Sequence, residues 1–244
     1  MKSGEGHRQR KLGKEQSNVG VVILSRYNSS RLPGKALKEI EGKPVLQYIV
    51  ERVNEVFPLN KITIATSDEI TDDPIAAFAL TMKVTCYRGS LENVAQRFFQ
   101  AGKTKAWDYI VRVNGDNIFL DIPLLQHVKA LSERGVYDFI SNVKNRTYPK
   151  GMSVESVRTD YYEQLLPKID SSSYYKEHVT IYLYEHDSHQ NFCYLYNKQL
   201  PEAAGLQMAL DTAEDLERTT LIFRKLEEDH RQYNLKELIK LMED

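Results

Sequence analysis

The longest unbroken apolar run early in the chain is Val21-Val22-Ile23-Leu24, within residues 20–25. Consecutive side chains of a strand point to opposite faces, so an uninterrupted apolar run predicts a strand buried on both faces, as in a parallel sheet. A polar loop over 26–35 follows. Val45, Ile49, Val53 and Val56 then recur at helical spacing, with Pro44 suited to the first helical turn. The alternation continues with a strand expected over 61–66, a helix over 74–82 and a short strand over 83–86. A helix over 91–105 follows, whose stripe is Leu91, Val94, Ala95, Phe98, Phe99 and Gly102. Next come a strand over 108–113, a helix over 124–134 and a strand over 137–141. This repeated order predicts an α/β fold: an open, mostly parallel sheet with helices on both faces.

The second half is less regular. Strands are expected over 153–157, 192–196 and 206–210, and helices over 161–166, 175–185, 213–228 and 235–242. Asp211 or Thr212 can cap the helix that opens at 213, with Glu214 and Asp215 favouring its positive end, and Asn234 can cap the last. Residues 1–18 are polar and charged, and read as a disordered tail. Residues 19–244 read as a single domain, with no internal repeat and no interdomain linker.

Composition narrows the function classes. Lys and Arg number 33 against 34 Asp and Glu, a balance that argues against a nucleic-acid partner or a polybasic membrane face. No apolar run approaches the roughly 20 residues of a membrane span, so membrane insertion is not expected. Cys86 and Cys193 lie far apart with no CxxC partner, which gives neither a disulfide framework nor a zinc site and suits a reducing cytoplasm.

Chemistry concentrates in Arg26-Tyr27-Asn28-Ser29-Ser30-Arg31-Leu32-Pro33-Gly34-Lys35, directly after the first strand. Ligands of open α/β sheets bind beyond the carboxyl ends of strands, so this loop stands where a site belongs. It offers forked guanidinium donors, a compact ammonium and two hydroxyls to an anion, and Pro33-Gly34 supplies a turn that can aim Lys35 inward. A solvated basic loop is the competing reading. It matches neither the Walker A pattern nor GxGxxG. Asp116 follows one apolar strand and Asp211 another. Each reads either as a turn or helix-cap residue or, taken together, as carboxylates for a hard divalent cation such as Mg²⁺, which takes one or two carboxylates plus phosphate oxygens. Asp121 is a weaker metal candidate.

The order R-x-x-S-S-R-L-P-G-K-x-L, followed by G-K-P at Gly42-Lys43-Pro44, resembles the signature of the sugar-nucleotide cytidylyltransferases. That family includes the synthetases of CMP-ulosonates and CMP-sialate and a spore-coat polysaccharide group. Further similar segments are Ile64-Ala65-Thr66-Ser67-Asp68, Arg88-Gly89-Ser90-Leu91-Glu92-Asn93-Val94 running on to Arg97-Phe98, Asn114-Gly115-Asp116, and Asp211-Thr212-Ala213-Glu214-Asp215-Leu216. The spore-coat pattern is also followed at Pro149–Glu155 and at Lys176-Glu177-His178-Val179-Thr180. One departure stands after Asp116, where the family carries a proline within two residues and this chain reads Asn117-Ile118-Phe119.

The resemblance implies a GT-A-like fold and transfer of CMP from CTP to an acidic sugar with release of pyrophosphate, for surface polysaccharide or glycoconjugate synthesis. It implies that Arg26, Arg31 and Lys35 act on the phosphates, that Ser25, Ser29, Thr66, Ser90 and Asn93 join them in holding the nucleotide, and that Asp116 and Asp211 hold catalytic Mg²⁺. Arg97 either joins this set or pairs with a carboxylate of its own helix. Lys150, Glu155, Glu177 and His178 become acceptor-side candidates, with Lys176 a further cation, within elements at about 145–205 that also suit a homodimer. The abundant tyrosines of the second half suit packing in a core or a dimer interface. Two other classes remain open at this point: a GT-A glycosyltransferase, disfavoured by the lack of a D-x-D motif, and a nucleotide-binding subunit without turnover.

Overall fold

In the computed structural model, which describes residues 16–187 and 191–243, the first apolar run is an interior strand of a seven-stranded sheet. Strand β1 (Val19–Leu24) is buried along its whole length. A small antiparallel hairpin, β2 (Glu39–Ile40) and β3 (Lys43–Pro44), leads into α1 (Val45–Asn54), so Pro44 stands just ahead of the helix rather than in its first turn. The chain continues through β4 (Ile62–Ser67), α2 (Asp73–Thr81), β5 (Thr85–Gly89), α3 (Val94–Lys103), β6 (Tyr109–Asn114), α4 (Ile122–Glu133) and β7 (Phe139–Ser141). Then come β8 (Glu155–Arg158), α5 (Thr159–Ile169), α6 (Ser173–Glu177), α7 (Ile181–Glu185), β9 (Phe192–Tyr194), α8 (Ala213–Arg224) and α9 (Leu235–Glu243).

The strand order is β5-β4-β1-β6-β8-β7-β9, parallel except for β8, which runs against both neighbours. Side chains of β1 alternate between two cores. Val21 and Ile23 pack with α1, α2, α4, α8 and α9, whereas Val22 and Leu24 pack with α3, α5 and α7. Helices therefore cover both faces, as the uninterrupted apolar run predicts. Among the described residues, no helix is long and apolar enough to cross a membrane.

Three further expectations are corrected. Residues 206–210 form no strand: they touch the sheet region through one parallel bridge, Lys150 to Gln207. The place beside β6 is taken by β8, so this segment pairs only at points, one of them Leu210 N–H to the Asp116 carbonyl at 3.2 Å. The helix expected over 175–185 is two short helices, interrupted where Val179 adopts φ +38°. Buried Val179 is held there by the Tyr162 hydroxyl, which donates to its carbonyl at 2.6 Å. The third concerns Asn234, whose side chain caps nothing.

Asp121 takes that role. One carboxylate oxygen accepts from Leu124 N–H at the start of α4, and the other from Leu235 N–H at the start of α9, both at 2.8 Å. A single buried side chain thus satisfies two helix N-termini from distant parts of the chain. Nearby, buried Arg52 of α1 donates to the carbonyls of Leu120, His230 and Tyr233, tying α1 to the same C-terminal segment.

The expected tail over 1–18 lies outside the described residues as far as residue 15. Ser17 and Asn18 are fixed: Ser17 N–H donates to the Glu133 carbonyl, and Asn18 donates to the Ala106 carbonyl and exchanges hydrogen bonds with Asp108. The tyrosines of the second half are mostly packing groups, with Tyr161, Tyr162 and Tyr182 buried beside Phe98, Phe99 and Phe139.

The double cap yields a direct test. Asp121→Ala removes two caps at about 1 kcal/mol each, so urea denaturation should register a loss of about 2 kcal/mol. A loss below about 0.5 kcal/mol would show that the caps contribute little.

Candidate active site

A cavity of about 370 Å³ opens over the carboxyl ends of β1 and β6. Five cations line it (Arg26, Arg31, Lys35, Arg97 and Arg112) against three carboxylates (Asp116, Glu177 and Asp211). The excess of positive charge fits a polyanionic ligand.

Its first wall is the basic loop, and two contacts shape that loop. The N–H of Tyr27 donates to Asp72 at 2.7 Å, and Asp72 also accepts from the Thr66 hydroxyl and from both the N–H and hydroxyl of Ser67. Burial by itself pushes the pKa of this carboxyl up, but the donors from Ser67, Tyr27 and Thr66 outweigh it and leave it below the ordinary 3.8. Farther on, the N–H of Gly34 returns to the Tyr27 carbonyl at 2.9 Å, with Gly34 at φ +70°, a conformation that favours glycine. Ala36 is buried in the turn that follows, and Lys35 faces the cavity.

The second wall carries the aspartates. Gly115 lets the chain pass against β1: its N–H donates to the Leu24 carbonyl at 2.8 Å, and a Cβ there would stand 2.7 Å from the Ser25 hydroxyl. Asp116 follows at once. Asp211 arrives beside it through the Leu210–Asp116 backbone bond. The cap of α8 is Thr212, in a reciprocal capping box with Asp215, so the Asp211 carboxylate is left for the cavity. The Lys35 ammonium lies between the two aspartates, 3.1 Å from an oxygen of each, and Arg31 reaches the same Asp211 oxygen at 3.0 Å.

The third wall is the break between α6 and α7. Glu177 pairs with Arg26 at 3.3 Å, and the exposed His178 packs edge-on against Tyr174. Behind them Glu155, only 2% exposed, accepts from Arg112, from the Thr180 hydroxyl at 2.9 Å and from the Tyr184 hydroxyl at 2.5 Å. Glu155 therefore braces this wall from within and does not line the cavity.

Of the residues singled out in the sequence, Ser25, Arg26, Ser29, Arg31, Lys35, Asp116, Asp211, Glu177 and His178 line one cavity. Thr66 does not; its hydroxyl is committed to Asp72. Ser90 and Asn93 also stand outside: Ser90 accepts from Asn93 N–H, and Asn93 caps α3 through Gln96 and donates to Asp170. Lys150 is exposed elsewhere, and Asp121 is the double cap. Arg97 pairs with no carboxylate among the described residues; it donates to the carbonyls of Ser90 and Leu91. Sequence reasoning passed over Arg112 and Asp72. Arg112 had a signal, a lone charge inside an apolar strand and two residues before Asn114 on the same face.

Two carboxylates facing an open cavity fit a hard divalent cation that draws its remaining ligands from phosphate oxygens and water. Among the described residues, no group of three or more potential ligands provides a cation site complete in itself.

Comparison with known proteins places the chain among similar sequences and folds. A family profile described as cytidylyltransferase matches residues 20–241. The chain is 30% identical to the spore coat polysaccharide biosynthesis protein SpsF of Bacillus subtilis, over 86% of this chain and 88% of that protein. It is also 30% identical to the 3-deoxy-manno-octulosonate cytidylyltransferase of Escherichia coli, over 84% of each. Among solved structures, a cytidylyltransferase from Leptospira borgpetersenii superimposes with a TM-score of 0.84 at 27% identity, covering 93% of this chain and 94% of that one.

The Asp72 anchor makes a pH-dependent prediction. Its folded-state pKa lies below the unfolded value, so its contribution is complete above the ordinary aspartate range and is lost as pH falls through the folded value. Asp72→Asn, which turns an amide toward these donors, should cost about 2 kcal/mol at neutral pH. The gap between wild type and variant should hold from about pH 7 down to the ordinary aspartate range and narrow only below it. A gap independent of pH would exclude this role for the carboxylate.

Proposed function

The chain belongs to the cytidylyltransferase family, and from that premise we propose that it transfers CMP from CTP to an acidic sugar of the ulosonate class, releasing pyrophosphate, in surface polysaccharide or glycoconjugate synthesis. The observation that carries the reading is the single Lys35 ammonium set between Asp116 and Asp211, inside a cavity with an excess of cations. The names of the Bacillus and Escherichia relatives support the pathway and the acceptor class. The sheet order and the Leptospira superposition support the GT-A-like description.

In this reading Arg26, Arg31 and Lys35 hold the triphosphate, and the acceptor hydroxyl attacks the α-phosphorus. The new P–O bond forms as the bond to the bridging oxygen breaks; pyrophosphate leaves with the electron pair, and the hydroxyl proton passes to solvent. Lys35 meets the negative charge that builds on the α-phosphate and the leaving group, at a position already set by two carboxylates. Asp116 and Asp211 would hold Mg²⁺, which when bound neutralises phosphate charge and polarises the attacking hydroxyl. Glu177 and His178, on the opposite wall, stand where an acceptor would be held. The partly exposed Tyr174 and Tyr196 support a homodimer through the second half, which sedimentation would test.

The assay is pyrophosphate release from CTP with candidate ulosonic acids and Mg²⁺. Lys35→Ala should lower kcat by about 10²-fold or more with the fold intact. Full activity of that variant would remove the mechanism, and release of free nucleoside diphosphate would assign a different reaction.

A further inference from the structure

Two guanidinium groups on the inner wall of the cavity are gripped at one edge and carry donors that the protein leaves unused. Arg97 is 3% exposed; its NH1 donates to the carbonyl of Ser90 at 2.5 Å, while its buried Nε has no partner among the described residues. Arg112 gives its NH1 to Glu155 and Thr180, and its Nε is likewise buried and without a partner among the described residues. Both line the cavity. A buried N–H without an acceptor costs free energy that an arriving anionic oxygen restores.

Their placement separates them from Lys35 and Arg31 of the phosphate-gripping set, with Arg26 lying between the two groups. Arg112 lies in register with Val22 on β1 and Glu155 on β8, on the sheet face covered by α3 and α5. Arg97 projects from α3, and its electrostatic neighbours include Glu177 and Arg26. Lys35, Arg31 and the two aspartates come from loops at the strand ends. Glu177, the carboxylate of this wall, is already paired with Arg26.

We propose that Arg97 and Arg112 form the subsite for the carboxylate of the acceptor sugar and so select acidic acceptors over neutral ones. A guanidinium offers only donors, in a planar fork that matches a carboxylate. Glu155 acts as a positioning residue, because it fixes the Arg112 guanidinium through NH1 and leaves the rest of the fork free. The assignment rests on the acidic-sugar reading above and replaces Lys150, which stands outside the cavity.

The test compares wild type with Arg97→Met and with Arg112→Met combined with Glu155→Gln, the second change sparing a buried carboxylate the loss of its cation. Each is assayed with an ulosonic acid and with its carboxamide, and CTP affinity is measured by calorimetry. KM for the acid should rise about tenfold to a hundredfold in each variant, with the preference for acid over amide lost and CTP affinity within about twofold of wild type. An unchanged preference for the acid, or a matching loss of CTP affinity, overturns the proposal. If the wild-type protein turns over no acidic sugar, the functional reading falls separately, and pyruvate binding to the CTP-loaded protein by ligand-observed NMR decides the subsite. Binding that disappears in Arg97→Met sustains it; no binding by wild type, or equal binding by the variant, overturns it.

Discussion

One ammonium group organises this molecule's chemistry. Lys35 comes from the loop after the first strand, Asp116 from the end of the strand beside it, and Asp211 from nearly a hundred residues later. Two carboxylates brought together near the surface repel each other, and a cation between them removes that penalty. The same three charges suit a triphosphate, whose developing negative charge the ammonium can meet at short range. In the proposed reaction, structural and catalytic demands fall on the same atoms.

Both flanking walls are held by a buried carboxylate. Asp72 gathers four donors and fixes the start of the basic loop, while Glu155 gathers an arginine and two hydroxyls and fixes the break between α6 and α7. A buried charge persists only when it is well supplied with hydrogen bonds, and that supply makes its neighbours rigid. Arg26, Lys35, Glu177 and His178 are consequently presented to the cavity by braced segments, although Arg26, Glu177 and His178 are themselves exposed. The arrangement is that of a preorganised site, where positioning contributes much of the rate.

The regular part of the fold was legible because its signals are local. An apolar run of strand length and a helical stripe each report their own burial, so β1, β4, β6, α1, α3 and α4 were readable within a few residues. Gly34 had a local meaning as well, as part of a turn, whereas the close passage at Gly115 is visible only beside Leu24 and Ser25. The misreadings came where a neighbour decided the outcome. Residues 206–210 have strand-like composition but found their edge occupied by β8, and 175–185 has helical spacing but breaks at Val179 because Tyr162 and Glu155 hold the far side. Asn234 was a good local cap, displaced by Asp121 from 113 residues away.

The amino-acid sequence by itself determined that the chain builds an open α/β sheet, that a basic loop follows its first strand, and that two aspartates stand at segment ends. Those conclusions depend on residue type and on spacing along the chain, which are fully present in the sequence. Only the tertiary structure decided which polar groups are spent inside the protein and which remain free for a ligand. Thr66, Asn93 and Glu155 are consumed by internal partners, whereas Arg97 and Arg112 keep donors in reserve. The physical reason is that hydrogen-bond satisfaction is settled over a few ångströms in space, among groups whose separation along the chain carries no trace of their meeting.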